Sequence, residues 1–245
     1  MDIYELIKKR EYVNANSHLM DEELAEKIET DFLIRFAHNS TAIEGNTLSL
    51  IETKLVIEDQ LSVTGKPLRE IYEVANHVTC WDYVKSKLSE KKALNENIVK
   101  DIHEILMEKI FQGGIYRNSN VIITGAQHTP PPPNEAYSQI KEFYSKLQTF
   151  PGNDIEFAAF THAEFVKIHP FPDGNGRTSR MIMNYQLMSK SFMPIYISNE
   201  NKHEYYEVLD EYAVSGNLAP FTDMIYALEE KTLDKQIQFI ESSIV

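Results

Sequence analysis

The fold of this chain is indicated most clearly by residues 169–180, which read His169-Pro170-Phe171-Pro172-Asp173-Gly174-Asn175-Gly176-Arg177-Thr178-Ser179-Arg180. Gly174 and Gly176 lack a Cβ, so the backbone can turn tightly and bring its N–H groups close to a ligand. A helix that starts near Asn175 would present unpaired N–H groups and the positive end of its dipole to an anion. The stretch therefore predicts a loop that runs into a helix and forms a phosphate site.

The side chains of the same stretch match that site chemically. Arg177 and Arg180 are three residues apart, on one helix face, where both can fork onto phosphate oxygens. Asp173 supplies a hard carboxylate oxygen, which suits Mg²⁺ bound between phosphates. His169 is the residue of this run that can accept a proton near neutral pH, so it is the candidate general base. Together they indicate a polyphosphate site with a base beside it.

At every defined position the run resembles the signature of the Fic family, His-Pro-Phe-x-Asp-Gly-Asn-Gly-Arg-x-x-Arg. The resemblance implies a mainly α protein with the Fic fold, a helical bundle with one small β-hairpin flap. It also implies an enzyme that transfers AMP from Mg²⁺-bound ATP to a hydroxyl side chain of a protein. His169 would deprotonate that hydroxyl, and Asp173 would hold Mg²⁺. The phosphates would be clamped by Gly174, Asn175, Gly176 and Arg177, with Arg180 on the γ-phosphate.

A second motif, Ser40-Thr41-Ala42-Ile43-Glu44-Gly45-Asn46, resembles the inhibitory motif of many Fic proteins. Ser40 and Glu44 are four residues apart, so they share a helix face and can hydrogen-bond. Gly45 suits the end of that helix, where a left-handed residue is often needed. By resemblance, Glu44 would pair with Arg180 and oppose the γ-phosphate, which predicts low basal activity.

Two further segments carry binding predictions. After Gly114-Ile115-Tyr116-Arg117, the run Val121-Ile122-Ile123-Thr124-Gly125 is typical of a strand that ends in a reversal. In the family such a hairpin flap holds the target peptide by edge pairing, although a plain surface hairpin would look the same. Downstream, Tyr205 and Tyr206 resemble the family segment that flanks adenine. Tyrosines at this spacing also fit a core, and His162 is predicted to be a core histidine.

Composition indicates the partners and the cellular location of the protein. A formal net charge of −13 argues against nucleic acid as the main partner. Cys80 is the single cysteine, which excludes an internal disulfide, suits a reducing compartment and favours a packing role. The sequence shows no signal-peptide core and no stretch long enough to span a bilayer, so we expect a cytoplasmic protein without a membrane partner.

Helical periodicity dominates the chain. An amphipathic helix is predicted over 21–39, Pro67 is placed at a helix start, and Asn95, Asn134 and Asp154 are candidate N-caps. We divide the chain into an N-terminal helical region, 1–94, which includes the inhibitory helix at about 30–44, a catalytic core, 95–215, and a C-terminal helical extension, 216–245.

Several functions remain compatible with these motifs. The first is an autoinhibited adenylyltransferase that acts on Ser, Thr or Tyr of another protein or of itself. The second is a nucleotide-sensing module without transfer, although His169 has no obvious role in such a sensor. Glu44 would also suit an enzyme that removes AMP from a modified protein, and relatives transfer UMP or phosphocholine. The sequence leaves open the identity of the target protein, whether the protein is a homo-oligomer, and how inhibition is released.

Overall fold

The computed structural model describes residues 3–243 and places ten α-helices there. Residues 1–2 and 244–245, the outer ends of the predicted N-terminal region and C-terminal extension, lie outside the described residues. The helices are α1 (Ile3–Asn16), α2 (Glu22–Ala42), α3 (Leu50–Glu58), α4 (Leu68–Ser89), α5 (Glu96–Leu106), α6 (Pro133–Gln148), α7 (Asp154–Ile168), α8 (Asn175–Ser189), α9 (Lys202–Ser215) and α10 (Ala219–Ser243). No helix within residues 3–243 is both long and apolar enough to cross a bilayer.

Local capping explains where these helices begin. Asp21 accepts a hydrogen bond from the Leu24 N–H at 2.7 Å, and Asn95 caps α5 in the same way. Pro67 precedes α4, as predicted. Two predicted caps are wrong. Asn153, one residue before Asp154, caps α7 in a capping box, and α6 already begins at Pro133, because proline is well tolerated in the first turn of a helix.

The centre of the fold is the pair α7 and α8, joined by the loop 169–174. Every residue of α8 from 177 to 187 is buried. One apolar core lies between this pair and α1, α9 and α10, and includes Leu6 and Phe221. A second lies towards α4, α5 and α6, and contains Trp81 and the fully buried Cys80, and a smaller third one joins α3 to α4. The three regions that the sequence suggested therefore share cores, and α8 is held from both sides.

The predicted β-hairpin is not confirmed, since no residue between 3 and 243 is assigned to a strand. The predicted reversal is present, because Gly125 has φ 86° and the Ala126 N–H donates to the Ile123 carbonyl at 3.2 Å. After this turn the backbone N–H groups of Gln127 and His128 donate to the Asp210 carboxylate at 3.0 Å. The returning chain is thus bound to α9, and its donors are not available to residues 121–123.

Candidate active site

The loop before α8 is fixed by buried polar side chains. His169 ends α7 in the left-handed conformation, φ 52°, with its N–H bonded to the Phe165 carbonyl. Arg117 donates from Nε to the His169 carbonyl at 2.7 Å and from its backbone N–H to the Pro170 carbonyl at 2.9 Å. Because Arg117 is only 5% exposed, these bonds are shielded from water and hold the loop firmly under the site.

The tautomer and charge state of His169 suit a general base. Its Nδ1 lies 3.2 Å from the Val166 carbonyl, which can only accept, so the proton is on Nδ1 and Nε2 has a free lone pair. Burial lowers the pKa of His169 to about 4, so the ring is neutral at pH 7. A neutral imidazole with an unprotonated Nε2 can accept a proton from a substrate hydroxyl.

The start of α8 needs its two glycines. Gly174 is the N-cap with φ 77°, a conformation that an L side chain rarely adopts. At Gly176 an added Cβ would collide with the Glu44 Oε1 atom, so the missing side chain allows a carboxylate to approach the first turn. The Asn175 side chain accepts from the Phe171 N–H at 2.9 Å and donates to the Phe171 carbonyl at 2.8 Å, so it braces the loop, and its contact with phosphate stays a prediction.

Arg177 is a buried cation with unused hydrogen-bonding capacity. It is 1% exposed, and its ion-pair partners Glu73 and Asp173 are 3.5 and 3.6 Å away. Its Nε and Nη1 atoms make no hydrogen bond to the described residues. Buried donors are normally satisfied, so this guanidinium fits a site that receives an anion.

Asp173 fits a divalent cation that is shared with phosphates. Burial pushes its pKa upwards, but the Arg177 charge and the hydrogen bonds from Arg69 and the Gly174 N–H outweigh burial and hold the pKa of this carboxyl below its usual range. No cluster of three acidic, His or Cys side chains able to hold a metal occurs among residues 3–243. One ionised carboxylate is the protein contribution that Mg²⁺ needs when substrate phosphates supply the other oxygens.

Arg180 is bound by Ser40 and Glu44, at the end of α2 and just beyond it. Its Nη2 donates to Glu44 Oε1 at 2.7 Å and to the Ser40 carbonyl at 2.8 Å, and its Nε donates to Ser40 Oγ at 2.9 Å. Ser40 and Glu44 thus meet at Arg180 instead of bonding each other. Helix α2 ends at Ala42, so Gly45, with φ 101°, lies in the turn beyond the helix and does not end it as predicted. The Glu44 carboxylate lies against Gly176, at the anion-binding end of α8.

The two candidate adenine residues have different environments. Tyr205 is 1% exposed, and its hydroxyl lies 3.1 Å from Arg180 Nη1 and 2.9 Å from His162 Nε2. Its hydroxyl therefore supports Arg180, and its contact with adenine stays a prediction. Tyr206 is 42% exposed and donates from its hydroxyl to the Ile43 carbonyl at 3.2 Å. His162 is buried as predicted, and burial lowers its pKa.

Sequence reasoning missed several residues of the site. His103 accepts the Gly114 N–H at Nδ1, so its Nε2–H donates to the Asp173 carbonyl at 2.8 Å. Arg69 donates from Nη2 to Asp173 Oδ2 at 2.7 Å, and Glu73 lies between Arg69 and Arg177. All three come from α4 or α5, outside the motifs. Their sequence signal was weak because polar residues at these helix positions usually face solvent.

The chain is similar to known proteins over most of its length. Residues 93–187 match the Fic/DOC family. The chain is 35% identical over 231 residues to a protein adenylyltransferase Fic of Aedes aegypti, covering 90% of this chain and 45% of that protein. It is also 35% identical over 203 residues to the protein of the same name from Nematostella vectensis, covering 80% and 47%. The chain spans about half the length of these curated relatives.

Solved structures extend the similarity to nearly the whole chain. A Fic-domain-containing signalling protein from Bacteroides thetaiotaomicron has the same fold, with a TM-score of 0.86, 23% identity and coverage of 98% of both chains. A fragment of Fic-1 from C. elegans has a TM-score of 0.82 and 27% identity, covering 96% of this chain and 70% of that one. Residues 93–187 of this chain therefore form a Fic domain of the Fic/DOC family.

Proposed function

We propose that this protein is an autoinhibited adenylyltransferase that transfers AMP from ATP to a Ser, Thr or Tyr hydroxyl of a target protein or of itself. One observation carries the proposal. The neutral His169, with Nε2 free, lies in the same loop as the start of α8, where Arg177 and Arg180 provide the positive charge. A base next to an anion site is what phosphoryl-type transfer requires.

In the proposed reaction His169 Nε2 takes the proton of the acceptor hydroxyl. The hydroxyl oxygen forms a bond with the α-phosphorus of ATP, the bond between that phosphorus and its bridging oxygen breaks, and pyrophosphate leaves. Arg177 and the first N–H groups of α8 stabilise the negative charge that develops on the phosphates. Asp173 would hold Mg²⁺, which when bound neutralises phosphate charge. Arg180 would bind the γ-phosphate.

Autoinhibition follows from competition for Arg180. The Glu44 carboxylate bonds the group that we assign to the γ-phosphate, at 2.7 Å. A carboxylate and a phosphate cannot both use the same donor and the same space above Gly176. ATP would therefore bind weakly, or with its α-phosphate wrongly presented, until Glu44 moves away.

Residues 121–125 are proposed to bind the target. Apart from the turn bond at Ile123, their backbone N–H and carbonyl groups have no backbone partner among the described residues, and Ile122 is 85% exposed. A target segment can pair with such an unpaired edge and form the strand pair that is absent here. Four other points stay predictions: the division into regions 1–94, 95–215 and 216–245, a homo-oligomeric state, a cytoplasmic location and the absence of a nucleic-acid partner.

The proposal is tested by incubating the protein with α-labelled ATP and Mg²⁺ and measuring label on protein. Wild type, Glu44→Gly and Glu44→Gly/His169→Ala are compared. We expect little label on wild type, strong label on the single variant and loss of label when His169 is also replaced.

Two controls make the result specific. γ-labelled ATP should leave no label, because the γ-phosphate departs with pyrophosphate, whereas label from the γ position would indicate a kinase. Absence of label from every variant, despite measurable ATP binding and with cell extract supplied as a source of targets, would contradict AMP transfer and favour a nucleotide sensor.

A further inference from the structure

The carboxylate of Asp173 is occupied on both oxygens by groups of this chain. Its Oδ1 accepts the Gly174 N–H at 2.6 Å, within the loop itself. Its Oδ2 accepts from Arg69 Nη2 at 2.7 Å, across 104 residues of sequence. The loop bond is local to the turn, and Arg177 lies 3.6 Å from Oδ1, so Arg69 is the hydrogen-bonded partner from a distant helix with which a cation at Asp173 competes.

A cation can displace the Arg69 side chain from Asp173 without unfolding of α4. Arg69 lies in the first turn of α4, its side chain is 56% exposed, and that of Asp173 is 43% exposed. An ion pair this open to water is worth about 0.2–1 kcal/mol. A divalent cation with phosphate ligands can displace such a contact. The contact is nevertheless strong enough to raise the cation concentration that is needed for ATP binding.

A buried carboxylate holds Arg69 in this position. Glu73, 6% exposed, accepts from Arg69 Nε at 3.1 Å through Oε1. Its other oxygen, Oε2, accepts from Asn46 Nδ2 at 3.0 Å. Asn46 also donates to the Glu70 carbonyl at 3.0 Å, so it is fastened to α4 twice.

These contacts connect the part of the site around Arg180 with the part around Asp173. Asn46 lies two residues after Glu44, so the segment that places Glu44 on Arg180 also contacts the carboxylate that orients Arg69. Displacement of the inhibitory segment removes one of the partners of Glu73 and loosens the hold on Arg69. By linkage, occupation of Asp173 by a cation then favours release of the segment to the same extent.

We propose that Arg69 is a second inhibitory contact, a positioning residue that holds Asp173 away from the cation while Glu73 and Asn46 keep it in place. This inference rests on the proposed function, because it assigns Asp173 to Mg²⁺. The inhibited arrangement then blocks two groups at once: Glu44 covers Arg180, and Arg69 covers Asp173.

The test measures cation dependence without turnover. In a His169→Ala background, the dissociation constant for ATP is measured by calorimetry at a series of free Mg²⁺ concentrations. Arg69→Ala should lower the Mg²⁺ concentration of half-maximal effect about 1.4- to fivefold, the range that an exposed ion pair supplies. Arg69→Lys keeps the charge and should lie nearer wild type. Glu73→Gln, which loosens Arg69, should shift the value in the same direction as Arg69→Ala.

Arg35→Ala is the matched control. Arg35 also pairs with an acidic residue four positions away, at 2.9 Å with Asp31, and is 41% exposed, but it makes no described contact with the loop. It should leave the Mg²⁺ dependence unchanged. An Arg69→Ala curve that coincides with the Arg35→Ala curve would overturn the inference, even if both variants lose thermal stability.

Asp173→Asn separates this inference from the proposed function. Loss of Mg²⁺-dependent ATP binding in Asp173→Asn, together with no shift in Arg69→Ala, rejects only the role of Arg69. Unchanged Mg²⁺ dependence in Asp173→Asn rejects the assignment of the cation, and the role of Arg69 falls with it.

Discussion

Replacement of Glu44 should change ATP affinity by an amount that the structure predicts. Glu44 Oε1 lies 2.7 Å from Arg180 Nη2; the Arg180 side chain is 2% exposed and that of Glu44 34%. A hydrogen bond to a charged group contributes about 1.5–3 kcal/mol, and partial exposure of the carboxylate favours the lower half, about 1.5–2 kcal/mol. At 1.36 kcal/mol per tenfold, the competent arrangement should gain about 10- to 30-fold in population.

The assay is calorimetric titration of ATP into His169→Ala and into Glu44→Gly/His169→Ala, at saturating Mg²⁺. If only a small fraction of the protein is competent, the apparent dissociation constant falls by the same 10- to 30-fold. Glu44→Gln keeps the size and a neutral hydrogen bond, so its effect should be smaller than that of Glu44→Gly.

Glu58→Gln is the matched control, because Glu58 is 37% exposed and pairs with Lys54 at 3.5 Å, on α3. It should leave ATP affinity unchanged. An ATP dissociation constant within twofold of the parent in Glu44→Gly would refute the competition for Arg180, since the removal of a competitor must strengthen binding by the ligand.

Three other predictions concern the base, a buried acid and the target-binding segment. Because burial lowers the pKa of His169 to about 4, label transfer by Glu44→Gly should persist from pH 8 to pH 5 and fall only towards pH 4, measured as initial rates across pH. Burial raises the pKa of Glu229 to about 8, so the folded state keeps a proton that the unfolded state, with a pKa of about 4.5, releases. The stability that this group contributes to folding is present below pH 4.5 and is lost as pH rises to 8. Glu229→Gln should therefore be more stable than wild type at pH 8, by up to about 4 kcal/mol in urea unfolding, and equal to it at pH 4.5. Ile122→Pro removes a backbone donor from the exposed edge and should reduce transfer to protein at least severalfold while the ATP dissociation constant stays unchanged.

Each of these has an outcome that contradicts it. A rate that falls with a midpoint near pH 6.5 would mean that the base is not the buried His169 described above. Equal stability of Glu229→Gln and wild type at pH 8 would show that the acid ionises in the fold without cost. If Ile122→Ala, which keeps the backbone N–H, impairs transfer as much as Ile122→Pro, the side chain and not strand pairing recognises the target.

Sequence patterns predicted the features that depend on near neighbours. Apolar periodicity placed the start of α2 near Asp21, and Asn95 was identified as the cap of α5 because a cap acts on N–H groups two or three residues away. The same reasoning placed the cap of α7 one residue late, at Asp154 instead of Asn153, and the cap of α6 two residues late, at Asn134 instead of Pro132. It also predicted a tight turn before α8, with Gly174 at φ 77°.

The sequence by itself determined the chemistry of this protein: the loop 169–180, its base, its carboxylate and its arginines are contiguous, and their spacing on one turn and one helix decides what they can do. Tertiary structure decided what these groups contact. Arg180 meets Glu44 across 136 residues, a pairing that only the resemblance suggested. Arg69 reaches Asp173 because α4 packs beside α8, and Tyr205 contacts Arg180 because α9 packs against α7, the neighbour of α8. Such contacts depend on how helices pack, and the same side chains on a helix facing water would show the same local pattern.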